Sequence, residues 1–206
     1  MIDKKKEEYS DIERKIMSIL ETKICVIGLG YVGLPLAVEF SKQIPVVGFD
    51  INPSRIEDLK DGIDVTNELN ADELKQSGNL LLSSNKDDIK NSSCYIVTVP
   101  TPIDSDKNPD LSPLMNASNL VGDYLQEGDT VIFESTVYPG ATEEVCVPIL
   151  ESSSNLEFNK DFFIGYSPER INPGDKEHRL PDIQKVVSGS NLQTLDFVDN
   201  LYKLII

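Results

Sequence analysis

The sequence predicts a doubly wound α/β fold, a single domain built on a mostly parallel sheet with helices on both faces. Three observations lead there. From Lys23 onward, short apolar runs of strand length alternate with stretches of helical periodicity. The runs are apolar throughout rather than alternating with polar residues, as strands covered on both faces are. The first run passes through a glycine-rich turn directly into a helix, and the next apolar run closes on an acid, Asp50.

Residues 1–22 form a charged lead-in in which Ile12, Ile16, Ile19 and Leu20 recur at helical spacing. A short amphipathic helical extension is expected, packed on the domain edge or facing a partner. The first strand is Lys23 to Ile27. After it, Gly28-Leu29-Gly30-Tyr31-Val32-Gly33 opens a helix whose stripe is Val32, Leu36 and Phe40, with Gly33 and Ala37 beside it. Pro45 to Phe49 reads as the second strand. The next helix starts at Pro53 behind Asn52, a capping residue followed by proline at the first helical position. Leu80–Leu82, Cys94–Val99, Thr130–Phe133 and Asp161–Gly165 supply further strands. Two helices lie between the last three, one from Ser112-Pro113 and one over Ala141 to Leu150. The final Leu201-Tyr202-Lys203-Leu204-Ile205-Ile206 is apolar and carries no glycine or proline stop, so this element is expected to be cut rather than finished.

The glycine turn carries chemistry. Gly28 permits the tight turn, Gly30 lets the backbone approach a diphosphate, and Gly33 lets the helix lie close to the sheet. Unpaired N–H groups and the positive end of the helix dipole then hold the diphosphate without a nearby lysine or arginine. Asp50, about 20 residues on, accepts hydrogen bonds from the adenine ribose hydroxyls and repels a 2′-phosphate, which favours NAD over NADP. Arg55 pulls the other way, because a guanidinium there can stack on adenine or pair with a 2′-phosphate. A glycine turn without ligand is the plainer alternative.

Composition bounds the rest. The 206 residues can bury a real core, and the formal net charge of −16 argues against nucleic acid and anionic membrane surfaces as partners. No run approaches the roughly 18 apolar residues of a membrane span, and the first eight residues lack the apolar core of a signal peptide, so a cytoplasmic location is expected. Three widely spaced cysteines make neither a metal pattern nor a disulfide pattern. Cys25, Cys94 and Cys146 read as small core residues rather than nucleophiles. Asp104, Asp106, Asn108 and Asp110 imitate a calcium loop, but Pro109 and Met115 stand where glycine and glutamate are required, and His178 has no readable partner. No metal is expected.

In such sheets ligands sit beyond the carboxyl ends of the strands. Three segments fall there: Val99-Pro100-Thr101-Pro102, Glu134-Ser135-Thr136-Val137-Tyr138-Pro139-Gly140 and Gly165-Tyr166-Ser167-Pro168-Glu169-Arg170-Ile171-Asn172-Pro173-Gly174. Thr101 and Thr136 each offer a small hydroxyl, or serve simply as turn residues beside proline. Glu169 can orient or deprotonate a water and Arg170 can hold an anion, or both are surface partners.

Together with the dinucleotide turn, these segments resemble the UDP-glucose/GDP-mannose dehydrogenase family, and most closely its bacterial UDP-N-acetylhexosamine 6-dehydrogenase branch, over the N-terminal half of such an enzyme. The resemblance implies an NAD-dependent oxidoreductase that oxidises the 6-hydroxyl of a nucleotide sugar twice, through a thioester, to a uronic acid for polysaccharide synthesis. It implies cofactor contacts from Tyr31, Val32, Asp50, Arg55, Thr101 and Thr136, sugar-nucleotide contacts from Arg170 and Ile171, and catalytic roles for Thr136 and Glu169. The family's lysine and asparagine on a following helix, its later cysteine, its dimerising central helix and its uridine-binding domain match no position here. The expected domain division is therefore a 1–22 extension and a 23–206 cofactor domain that alone binds cofactor without turnover, the full-length enzyme being a homodimer. A stand-alone NAD-binding or partner-binding module, a UDP-glucose 6-dehydrogenase, or a hydroxyacid dehydrogenase relative are the other readings.

Overall fold

A computed structural model describes residues 19–75, 77–103, 105–170, 180 and 183–206. The expected helix over the first 22 residues lies almost wholly outside them. Ile19, at its described end, is buried in the core.

The strands are β1 (Ile24–Ile27), β2 (Val46–Phe49), β3 (Leu80–Ser83), β4 (Cys94–Val97), β5 (Thr130–Phe133), β6 (Phe163–Tyr166) and β7 (Ser188–Gly189). Among the described residues they form one sheet in the order β3-β2-β1-β4-β5-β6-β7, parallel except for β7. The helices are α1 (Gly33–Ser41), α2 (Pro53–Lys60), α3 (Ala71–Lys75), α4 (Ser112–Gly122), α5 (Val147–Ser154) and α6 (Leu192–Tyr202). The strands and helices expected from Lys23 onward are present and the sheet is doubly wound.

Both sheet faces are covered, which is why the strands are apolar without alternation. In β1, Ile24 and Val26 join a cluster with Leu36 and Phe40 of α1 and Leu201 of α6. Cys25 and Ile27 face the other way, toward Leu114 and Val121 of α4 and Leu150 of α5. The Tyr202 ring meets Phe40 edge-on, with centroids 5.7 Å apart.

Three features were not expected. The helix after Gly140 opens with a π-helical segment, Thr142–Cys146, before α5. Pro148 stands at the start of α5 and has no N–H to give to an α-helical bond, so the wider turn ahead of it leaves no bond broken. The short β7 pairs antiparallel with β6. Finally, α6 ends at Tyr202, and Ile205 in the turn after it is buried.

Register places the chemistry. Phe49, Ile27, Val97, Phe133 and Tyr166 pair across the sheet in one row. The next residues, Asp50, Gly28, Thr98, Glu134 and Ser167, therefore line the carboxyl edge. The chain leaves β1 for β2 on one side and returns to β4 on the other, so the switch point lies directly above Gly28 and Thr98.

Candidate functional site

The three turn glycines are glycine for three separate reasons. Gly28 has φ +95°, a conformation that an L side chain resists. At Gly33 an added Cβ would lie 1.9 Å from the Gly28 carbonyl oxygen and 2.3 Å from Thr98 Oγ1. Thr98 is itself a clasp, its hydroxyl donating to the carbonyls of Gly28 at 2.7 Å and Ile27 at 3.0 Å. At Gly30 an added Cβ would meet nothing within 4 Å, and φ is not positive. Among the described residues nothing demands glycine there, so the bare backbone faces open space.

The start of α1 agrees. The bond from Leu34 N–H to the Gly30 carbonyl, 3.1 Å, is the first of the helix, so the N–H groups ahead of it have no helical acceptor. Val32 at the cap position makes no side-chain cap, and the first turn carries no acid. An uncapped helix start above a bare glycine presents N–H groups and positive dipole to an anion.

Asp50 reaches the same turn. One carboxylate oxygen accepts from Leu29 N–H at 2.8 Å, the other from Asn52 N–H at 2.9 Å. Each oxygen retains acceptor capacity, so the carboxylate is oriented without being used up.

A cleft of about 300 Å³ joins these groups, and it is lined by Gly28, Gly30, Tyr31, Val32, Asp50, Thr101, Thr136 and Glu169 of the expected set. Thr101 Oγ1 donates to the Thr136 carbonyl at 2.7 Å, tying the loop after β4 to the loop after β5. Ser135 Oγ donates to the Val99 carbonyl at 2.6 Å and strengthens the same tie. Both hydroxyls are held by backbone acceptors, and Thr136 stays exposed at the cleft.

Three expected residues stand elsewhere. Gly33 lies behind the turn. Arg55 does not line the cleft; its side chain is turned inward, Nε donating to the Leu29 carbonyl at 3.0 Å and Nη2 to Asp64 at 2.7 Å. Arg170, the last residue described in its segment, is exposed, and its backbone N–H donates to Glu169 at 2.6 Å. Ile171 and His178 lie outside the described residues, as does Asp104.

Sequence reasoning missed Thr66, Thr98 and Glu134, which also line the cleft. Glu134 is buried and paired with Lys185, itself buried, and it accepts from the Tyr202 hydroxyl. Lys185 also lies 5.3 Å from the Tyr202 ring centroid. Burial pushes the Glu134 pKa up, Lys185 and Tyr202 oppose this, and Glu169 adds to it. Burial drives Tyr202 well above the usual phenol value, helped by the Glu134 charge. Partners 51 and 68 residues away leave no local signal. The register row could have flagged Glu134, because it occupies the position after β5 that Asp50 occupies after β2.

A larger hollow of about 660 Å³, among them Tyr138, Glu143, Asn159 and Ser190, borders β6 and shares no lining residue with the cleft. The three cysteines are free and buried. Burial raises the pKa of each, Cys146 to about 11, which removes the thiolate that a nucleophile needs. Among the described residues no group of acids, histidines and cysteines could hold a metal ion, and no helix is long and apolar enough to cross a membrane.

Comparison with known proteins gives a consistent picture. The model of the UDP-glucose/GDP-mannose dehydrogenase family, NAD binding domain, matches residues 22–206. A UDP-N-acetyl-D-glucosamine 6-dehydrogenase from Pseudomonas aeruginosa is 60% identical over 186 residues, covering 90% of this chain and 44% of that protein. Protein CapL from Staphylococcus aureus is 52% identical over 91% of this chain and 44% of its own length. Among solved structures, a UDP-D-ManNAc dehydrogenase from Pyrococcus horikoshii superposes with TM-score 0.83 at 32% identity, covering 90% of this chain and 45% of that one. A ternary complex of GDP-mannose dehydrogenase from Pseudomonas aeruginosa gives TM-score 0.78 at 26% identity, over 87% and 44%. The chain thus spans less than half the length of the relatives it matches.

Proposed function

The chain belongs to the UDP-glucose/GDP-mannose dehydrogenase family through its NAD-binding domain, and on that premise we propose that it is the cofactor-binding half of an enzyme that oxidises UDP-N-acetylglucosamine at C6 to the uronic acid. One observation carries the cofactor side of this reading: a glycine whose missing Cβ faces open space, beneath an uncapped helix start and beside an oriented carboxylate. In the proposal, the N–H groups of Gly30, Tyr31 and Val32 hold the diphosphate and Asp50 takes the adenine ribose hydroxyls. Tyr31 covers the diphosphate from the exposed side, Thr101 and Thr136 border the nicotinamide, and Arg55 supports the turn from behind. NAD, when bound, supplies the hydride acceptor.

Glu169 and Thr136 are assigned the water of the hydrolytic step, the carboxylate taking a proton and the hydroxyl fixing the oxygen. Arg170 and Ile171 are assigned to the sugar nucleotide. The sugar assignment rests on the relatives of 60% and 56% identity, whose names specify UDP-N-acetyl-D-glucosamine. UDP-glucose is the second candidate substrate. The whole enzyme is proposed to work as a homodimer in the cytoplasm, where the three free thiols stay reduced.

The test is a chain extended through the remainder of the family's length, assayed for NADH at 340 nm (the absorbance maximum of the reduced nicotinamide). Two NADH per UDP-N-acetylglucosamine, with none from residues 1–206 alone, is the expected result. An extended, folded protein that binds NAD yet oxidises no nucleotide sugar would leave the stand-alone binding module as the better account.

A further inference from the structure

Arg55 and Asp64 form a buried ion pair directly behind the diphosphate turn. Nη2 of Arg55 lies 2.7 Å from Asp64, and side-chain exposures are 8% and 0%. Asp64 accepts five hydrogen bonds in all: from Arg55, from the N–H and hydroxyl of Thr66 at 3.0 and 2.7 Å, and from the N–H groups of Glu68 and Leu69 at 2.9 and 3.1 Å. Burial alone would raise its pKa; the bonds from Thr66, Arg55 and the backbone outweigh this and hold it below the usual carboxylate value, so it stays ionised at neutral pH.

The pair reaches the cleft from two sides. Thr66, fixed on Asp64, is part of the cleft wall. Arg55 Nε grips the Leu29 carbonyl, while Asp50 grips the Leu29 N–H, so guanidinium and ribose-reading carboxylate sit on opposite sides of one residue. In a planar trans peptide the C=O and the following N–H point opposite ways. Drawing the Leu29 carbonyl inward therefore aims the Gly30 N–H outward. Among the described residues Nη1 of Arg55 is buried without a hydrogen-bond partner, a donor in reserve.

We infer that Asp64 sets the cofactor selectivity of this cleft, as a positioning residue acting through Arg55. The inference rests on the dinucleotide reading above. A cation beside Asp50 would offset its repulsion of a 2′-phosphate. Asp64 prevents this by neutralising the guanidinium and holding Nη2 behind the turn, where Nε donates to the Leu29 carbonyl. Asp50 then meets the ribose alone, and the reserve donor stays inside. The ambiguity between Asp50 and Arg55 in the sequence is resolved by a third residue that no dinucleotide motif includes.

The test is calorimetric titration of NAD and NADP into residues 1–206 as wild type, Asp64→Asn, Arg55→Met and the double variant. In Asp64→Asn the guanidinium loses its counter-charge, and NADP affinity relative to NAD rises at least tenfold. The double variant returns to within threefold of the wild-type ratio. Arg55→Met leaves Asp64 its four other donors; NAD affinity falls, and the NADP-to-NAD ratio stays within threefold of wild type. This variant keeps the proposal testable should Asp64→Asn not fold. A ratio within twofold of wild type in folded, NAD-binding Asp64→Asn overturns the inference, as does a rise that persists in the double variant or a tenfold change with Arg55→Met alone. A purely structural Asp64 would lower the melting temperature and move both affinities together. Wild-type protein that binds neither dinucleotide would instead overturn the reading beneath.

Discussion

Alanine at Gly30 and alanine at Gly33, three residues apart in one motif, are expected to fail in opposite ways. At Gly33 the new methyl would stand 1.9 Å from a backbone oxygen and 2.3 Å from a threonine hydroxyl already committed to two carbonyls. Ordinary contact is ~3.5 Å, so the α1 start must move by more than about 1 Å, and neither neighbour is the free end of a flexible side chain. Overpacking of this kind costs about 3 kcal/mol or more, which for a chain of this length lowers the melting temperature by roughly 6–12 °C. At Gly30 the methyl meets nothing and no positive φ has to be kept. Stability should therefore change by less than about 1 kcal/mol, with a small gain from the stiffer unfolded chain. The same methyl enters the space assigned to the diphosphate, so NAD affinity falls at least about tenfold, or ~1.4 kcal/mol, and Gly30→Val abolishes it. Differential scanning calorimetry and NAD titration on both variants separate the two effects. Wild-type affinity in folded Gly30→Val, or an unchanged melting temperature in Gly33→Ala, would refute the reasoning.

Asp50→Ala should raise the NAD dissociation constant roughly 10- to 100-fold, the value of hydrogen bonds to a charged acceptor, and reduce discrimination against NADP; calorimetry with both dinucleotides checks it. Burial lifts the Asp129 carboxyl to about 6, against an opposing bond from Gln126 N–H. A raised folded pKa means that the folded state holds this proton more tightly, so the ionised group costs stability above pH 6 and the cost vanishes as pH falls below the unfolded value. Asp129→Asn, which keeps the acceptor, should therefore stabilise at pH 8 by up to about 3 kcal/mol and by only about 0.5 kcal/mol at pH 4, read by urea denaturation at both values. Glu134→Gln leaves Lys185 buried without its counter-charge and should cost roughly 3–5 kcal/mol, whereas Glu134→Leu with Lys185→Met should recover most of that; a double-mutant cycle in urea decides.

What the sequence disclosed was local. Strand runs, the proline-led start of α2 and the glycine turn follow from chain chemistry over a few residues, and all appear where expected. The eight cleft residues, read from five strand ends, came together because parallel strands deliver their carboxyl ends to one edge. The pairings across the fold were hidden. Arg55 gave no sign that it would turn inward, because its partner Asp64 lies in a loop whose geometry depends on backbone N–H groups. Glu134 read as part of a loop, yet its pairing with Lys185 makes it a core residue. The short β7 was missed because two residues carry no periodicity, and its pairing with β6 is set by the sheet edge rather than by propensity.

Titration of NAD into well-folded residues 1–206, with ADP-ribose as competitor, tests the central claim most directly. One saturable site that ADP-ribose displaces, and that Gly30→Val removes without unfolding the protein, is the expected result. Folded protein that takes up neither NAD nor ADP-ribose would contradict the assignment of the turn, the helix start and Asp50 to a dinucleotide.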